Sequence, residues 1–141
     1  MSFDRFQVPL RMLLLLASAS TALTGVWLIY TTLVILPAHD PAHIPMWRSI
    51  AIAFFAYSAL SCVYAVTGSR AVWLRILVLV VSVAAIVLGI HSVFSMIQDQ
   101  REGGHVEGYI FLMALLLGGH GLIAILYTLS YRIGRGVRAV G

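Results

Sequence analysis

Residues 76–131 read ILVLVVSVAAIVLGIHSVFSMIQDQREGGHVEGYIFLMALLLGGHGLIAILYTLSY. Two apolar runs in this stretch each reach the ~20 residues that a helix needs to cross a hydrocarbon core of ~30 Å. Between them lies a short charged segment, residues 99–108, with Asp99, Arg101, Glu102, His105 and Glu107. The pattern predicts a hairpin of two transmembrane helices. Each carries one histidine at membrane depth, His91 and His120.

Outward from the hairpin the same reading continues to both ends. Four spans are expected, at about residues 12–36, 47–67, 72–98 and 109–131. Every connection is short, as in a helical bundle, and no linker divides the chain. Residues 1–141 are therefore read as a single all-α transmembrane domain, an up-down-up-down four-helix bundle. The composition agrees: the chain is 61% hydrophobic and 10% charged, with a mean hydropathy of +0.99. A soluble domain carries roughly 25% charged residues and needs them at its surface. Lipid has to cover this one.

Residues 1–11 form an amphipathic lead-in with Asp4, Arg5 and Arg11 among Phe3, Phe6 and Val8. A cleaved signal peptide is the rival reading, since Ala17-Ser18-Ala19 resembles a cleavage site. The apolar run continues without a break to Leu36, which opposes cleavage. Pro37 is expected to end the first helix, and Pro41 and Pro45 to hold the next loop extended.

Arginine placement predicts the orientation. Arg5, Arg11, Arg70, Arg75, Arg132, Arg135 and Arg138 fall on the side of the termini, against Arg48 and Arg101 on the other. Seven against two places both termini in the cytoplasm. The net charge of +4 is thereby explained by membrane topology, and no nucleic-acid partner is implied. All nine basic residues are arginine, and with the compact design this suggests a bacterial inner membrane.

Two small-residue seams allow close helix approach: Ser18, Ala22 and Gly25 on the first span, and Ser82, Ala85, Gly89 and Ser92 on the third. His91, Ser95 and Gln98 lie almost opposite the second seam. On the fourth span the His120 face also carries Tyr109, Met113, Leu116, Ala124, Tyr127 and Tyr131. This stripe could line a cleft for a lipid or quinone, although Tyr127 and Tyr131 also fall where an interfacial aromatic belt belongs.

Two constellations are chemically suggestive. His91 and His120, with Gly89 and Gly119 (and Gly118 and Gly121) beside them, could hold haem b through two axial imidazoles. Their depths, measured from the connecting loop, are offset by roughly 7 Å at the helical rise, which counts against the pairing. The plainer reading is a pair of neutral histidines hydrogen-bonded to Ser95, Gln98, a tyrosine or a carbonyl. On the outer rim, His39, Asp40, His43 and Met46 from one loop face Glu102, His105 and Glu107 from another. Imidazole and carboxylate ligands suit zinc or copper(II), and a thioether suits copper(I). Solvated loop polarity is the plainer reading there.

Several classes are disfavoured. The single cysteine, Cys62, cannot form an internal disulfide or a dithiol couple. No Asp, Glu, Lys or Arg lies centrally in any span, as ion-coupled transport usually requires. No nucleotide loop, serine elbow or zinc-protease motif appears. The expectation is a non-catalytic accessory or assembly subunit of a larger membrane complex, with other membrane subunits or further copies as partners. A bis-histidine haem b or quinone-interacting electron-transfer protein, and a copper- or zinc-handling protein, are the alternatives.

Overall fold

The computed structural model describes residues 4–39, 41–67, 72–103 and 108–138, excluding the side chains of residues 4–6, 39, 109 and 131–138. All secondary structure among them is helical. Helix α1 spans Asp4–Tyr30 and continues through a π-turn, Thr31–Ile35, into the short α2, Leu36–His39. A 3₁₀ turn at Pro41–His43 leads into α3, Ile44–Thr67, which is followed by α4, Val72–Arg101, and α5, Gly108–Arg138. Four stretches are long and apolar enough to cross a membrane: Gln7–Ala38, Pro41–Thr67, Val72–Arg101 and Ile110–Ser130. Their outer faces are apolar, with Leu23 and Phe94 each 69% exposed. That surface suits lipid and not water.

The first connection departs from the sequence expectation. Pro37 does not end the helix, because the widened turn just before it absorbs the proline. Proline lacks an N–H and crowds the carbonyl four residues back. A π-turn shifts the register there, and the Leu36 N–H donates to the Thr31 carbonyl, five residues earlier. The Thr31 and Thr32 hydroxyls donate to the Trp27 and Ile29 carbonyls at 2.9 and 2.8 Å, bridging the distorted segment. Pro41 opens the 3₁₀ turn, and Pro45 occupies the first turn of α3, where its missing N–H is harmless. The loop is thus helical on both sides of Asp40, not extended. The lead-in likewise belongs to α1 from Asp4 onward, and α4 and α5 run beyond the expected ends at residues 98 and 131. Gly103, in the left-handed region at φ 84°, follows the end of α4.

Helix α1 packs along α3 and α5, and α4 packs along α5. Residue pairings show each of these contacts running antiparallel. Ser18 meets Ser58 while Gly25 meets Phe55, and Gly121 meets Ser82 while Gly118 meets Gly89. By contrast α3 and α4, though adjacent in the chain, meet over little of their length. A cleft of about 380 Å³ separates them, floored by α5.

Two apolar clusters hold the bundle. Leu14, Tyr64, Ala65, Leu74, Val78, Ala124 and Tyr127 form one, and Leu28, Ala51, Phe54 and Met113 form the other. Between them lies a polar layer at about mid-depth of all four spans, with Ser18 and Thr21 from α1, Tyr57 and Ser58 from α3, Ser82 from α4 and His120 from α5. Every one of these is buried.

Candidate functional site

His120 is the centre of that layer and is 2% exposed. Its Nδ1 lies 2.7 Å from the Thr21 hydroxyl, and its Nε2 lies 3.5 Å from the Ser18 hydroxyl. The Tyr57 ring stacks on the imidazole with centroids 4.3 Å apart and planes at 28°. The Tyr57 hydroxyl then reaches Ser82 on α4 at 3.0 Å, and Ser58 donates to the Ser18 carbonyl at 2.6 Å. All four long helices thus join a single connected network, through Thr21 and Ser18 from α1, Tyr57 from α3, Ser82 from α4 and His120 from α5.

The Thr21 hydroxyl has one proton, and both the Ala17 carbonyl, at 2.9 Å, and His120 Nδ1, at 2.7 Å, lie within its reach. If the carbonyl takes that proton, Nδ1 carries the ring N–H and donates to Thr21. Ser18 has the same choice between the Leu14 carbonyl at 2.7 Å and Nε2 at 3.5 Å, and geometry favours the carbonyl. The histidine is held chiefly by its short bond to Thr21 and its stack on Tyr57.

The local sequence explains the arrangement. In α1, Ser18 and Thr21 are three residues apart and share a face. In α3, Tyr57, Ser58, Ser61 and Tyr64 form a polar stripe at helical spacing, and all four are buried. In α5, glycines flank the histidine, and Gly121 brings the backbone against α4. A Cβ there would lie 2.7 Å from the Ser82 carbonyl oxygen and 2.9 Å from the Ile86 side chain. Gly89 plays the same part from α4, where a Cβ would lie only 2.9 Å from the Ala114 carbonyl oxygen.

The structure does not bring His91 and His120 together. His91 is exposed on the outer face of α4 with Ser95 and Gln98, while both nitrogens of His120 face α1 inside the bundle. A bis-histidine iron site needs both imidazoles aimed at one point, so these residues do not fit haem b. The glycines do not make a porphyrin slot either: Gly89 is filled by α5, and Gly119 is exposed with nothing within 4 Å of its missing methyl. The Gln98 amide donates to Glu102 at 3.1 Å.

On the rim, His43, Met46 and Glu102 are exposed. The His39 side chain, Asp40, His105 and Glu107 lie outside the described residues. Among the described residues no group of three or more His, Cys, Asp or Glu is placed to hold a metal ion.

The His120 stripe of α5 points inward, and Met113, Ala124 and Tyr127 are buried with it. Tyr127 is not an interfacial belt residue: it is 3% exposed and packs edge-on against Tyr64, with centroids 5.5 Å apart. Both small-residue seams are used within the chain in part, and Ala85 and Ser92 of the second also line the cleft between α3 and α4. Ser18 and Gly25 pack on α3, and Ser82 and Gly89 on α5.

The cleft between α3 and α4 reaches this layer from the outside. Its walls include Ala53, Phe54 and Tyr57 on one side and Ala84, Ala85 and Ser92 on the other. Its outer side is open, with Ala53, Ala84 and Leu88 exposed. Tyr57 thus faces two ways, stacking on His120 within and lining the cleft without. No known protein family matches the chain, and neither the curated proteins nor the solved structures include a significant match.

Proposed function

We propose that this chain is an integral protein of a bacterial inner membrane, with its four spans up-down-up-down and both termini in the cytoplasm. We propose further that it serves as a non-catalytic accessory or assembly subunit of a larger membrane complex. The arginine asymmetry supports the orientation. The observation that carries the functional reading is the α3–α4 cleft. Within the bilayer, helices associate through small residues that let backbones approach. Of the two seams visible in the sequence, Ser18 and Gly25 are occupied by α3 and Gly89 by α5, while Ala85 and Ser92 of the second seam line the cleft. The cleft offers Ala53, Ala84, Ala85 and Ser92 along one open groove of about 380 Å³, and a partner's transmembrane helix fits there in place of the missing α3–α4 contact.

Tyr57 at the base of the groove favours a second reading, a quinone or other lipophilic molecule with a hydrogen-bonding head. The groove's volume lies within the ~300–1,000 Å³ usual for such sites. The haem reading has lost its paired ligands, and the metal reading rests on the exposed His43, Met46 and Glu102 together with rim residues outside the described set.

One experiment separates these readings. Cys62 is exposed and is first replaced by serine. Ala53→Cys or Ala84→Cys, labelled with a photoactivatable maleimide in native membranes, is expected to give a discrete adduct with a larger protein. Leu16→Cys, 65% exposed on α1 and outside the cleft, is the control and should give none. Adducts only with a second copy, or only with lipid or quinone, would contradict the accessory-subunit reading.

A further inference from the structure

The buried polar side chains are not spread evenly through the interior. Except for Thr32, they lie between the mid-depth layer and the arginine-rich end: Ser18, Thr21, Tyr57, Ser58, Ser61, Tyr64, Ser82, His120, Tyr127 and Thr128. The other half of the core is Leu28, Ala51, Phe54 and Met113. Most of the polar groups have partners. Two do not: the Ser61 Oγ and the Tyr64 Oη are fully buried, and no hydrogen bond in good geometry reaches either among the described residues. Both residues are 0% exposed.

Two such groups three residues apart on one helix call for a physical explanation, because a buried hydroxyl without a partner loses its hydration and regains nothing. Ser61 and Tyr64 are three residues apart on α3 and share one face. A tyrosine side chain in a helix leans back over the preceding turn, which carries Oη toward the level of Ser61. The Tyr57 hydroxyl, one turn further back, bonds to Ser82 at 3.0 Å and lies near Ser61, which makes it a third polar group at the site. Within membranes, as in soluble cores, buried polar groups lacking a protein partner are satisfied by internal water, which needs two to four polar partners.

We propose that Ser61 and Tyr64 form an internal water-binding site between the His120 layer and the arginine-rich end of the bundle. The ligand class is water, and the site hydrates only this half of the interior. The water donates to one hydroxyl and accepts from the other, so removing either hydroxyl leaves it under-coordinated and dislodges it. The site also gives the mid-depth network a hydrated neighbour on one side of the membrane and an apolar one on the other.

The test combines stability and direct detection in the full-length protein. Ser61→Ala and Tyr64→Phe are conservative and each should lower the midpoint of thermal unfolding in detergent. The double variant should be no less stable than the worse single variant, because both remove the same water. In lipid bilayers, water-edited solid-state NMR should show fast magnetisation transfer to the Tyr64 ring in the wild type. That transfer should be slow to Phe54 and lost from Tyr64 in Ser61→Ala. A rise in midpoint for either single variant would mean that an unsolvated hydroxyl had been removed, and would overturn the proposal. Additive losses, or a Tyr64 ring as dry as Phe54, would overturn it equally.

Discussion

Replacing His120 with alanine is expected to destabilise the bundle by about 3 kcal/mol, whereas replacing His91 with alanine should change stability by less than about 0.5 kcal/mol. The two histidines are the same residue type in neighbouring helices, so composition and hydropathy treat them alike. The structure does not. His120 loses a 2.7 Å bond to Thr21 and a stacked contact with Tyr57, and it leaves a cavity where α1, α3 and α5 meet. An aromatic stack contributes about 1 kcal/mol, a hydrogen bond between membrane helices about 0.6 kcal/mol, and the cavity supplies the rest. Thr21 and Ser18 keep their bonds to the carbonyls of α1, so no hydroxyl is stranded and the loss stays moderate. His91, exposed, has no such contacts to lose. Reversible unfolding in mixed micelles by added denaturing detergent would measure both. Equal effects would show that the interior is not organised around His120.

The second large effect is expected at a position with no functional group at all. Gly121→Ala places a methyl within 2.7 Å of the Ser82 carbonyl oxygen and 2.9 Å of Ile86. The Ile86 side chain can shift, but the backbone oxygen can move only if α4 moves with it. Forcing a methylene into a packed interface costs about 1–3 kcal/mol, and alanine's better helix propensity recovers roughly 1 kcal/mol of that at most. A net loss of about 1–2 kcal/mol is expected, together with a weakened Tyr57–Ser82 bond, since Ser82 is the residue displaced. Gly119→Ala, two residues away and with open space around it, should be neutral or slightly stabilising. The same unfolding assay checks the pair. A tolerated Gly121→Ala would mean that α4 and α5 are not in close contact at this level.

Four long apolar helices were legible in the sequence because length and hydropathy alone decide whether a segment can cross a bilayer. Helix ends were less so. Pro37 reads as a terminator by local rules, yet a single π-turn removes the conflict, and nothing in residues 31–35 announces that turn. The inward face of α5 was visible as a stripe through His120. Its partners were not, because the hydroxyls of Ser18 and Thr21 look like any small residues that ease packing. The signal that could have found the site lies in α3. Tyr57, Ser58, Ser61 and Tyr64 recur at steps of one, three and three in an otherwise apolar helix, and such a stripe must face the interior. The small-residue seams were read correctly as close-packing surfaces, but sequence cannot tell a neighbour in the same chain from one in another. The pairing of His91 with His120 failed for a related reason: helical periodicity orders faces within one helix and says nothing of how two helices are rotated against each other.

His120 is held inside the bundle against Thr21, 2.7 Å from its hydroxyl, and Nδ1 is the expected donor. Nitrogen-15 NMR of the histidine side chains, in lipid bilayers, tests it most directly. The expected result is a proton on Nδ1 of His120, a through-space contact from that proton to Thr21, and loss of that contact in Thr21→Val with the His91 signals unchanged. A His120 ring with its only proton on Nε2, or one exchanging with solvent as fast as His91, would contradict it.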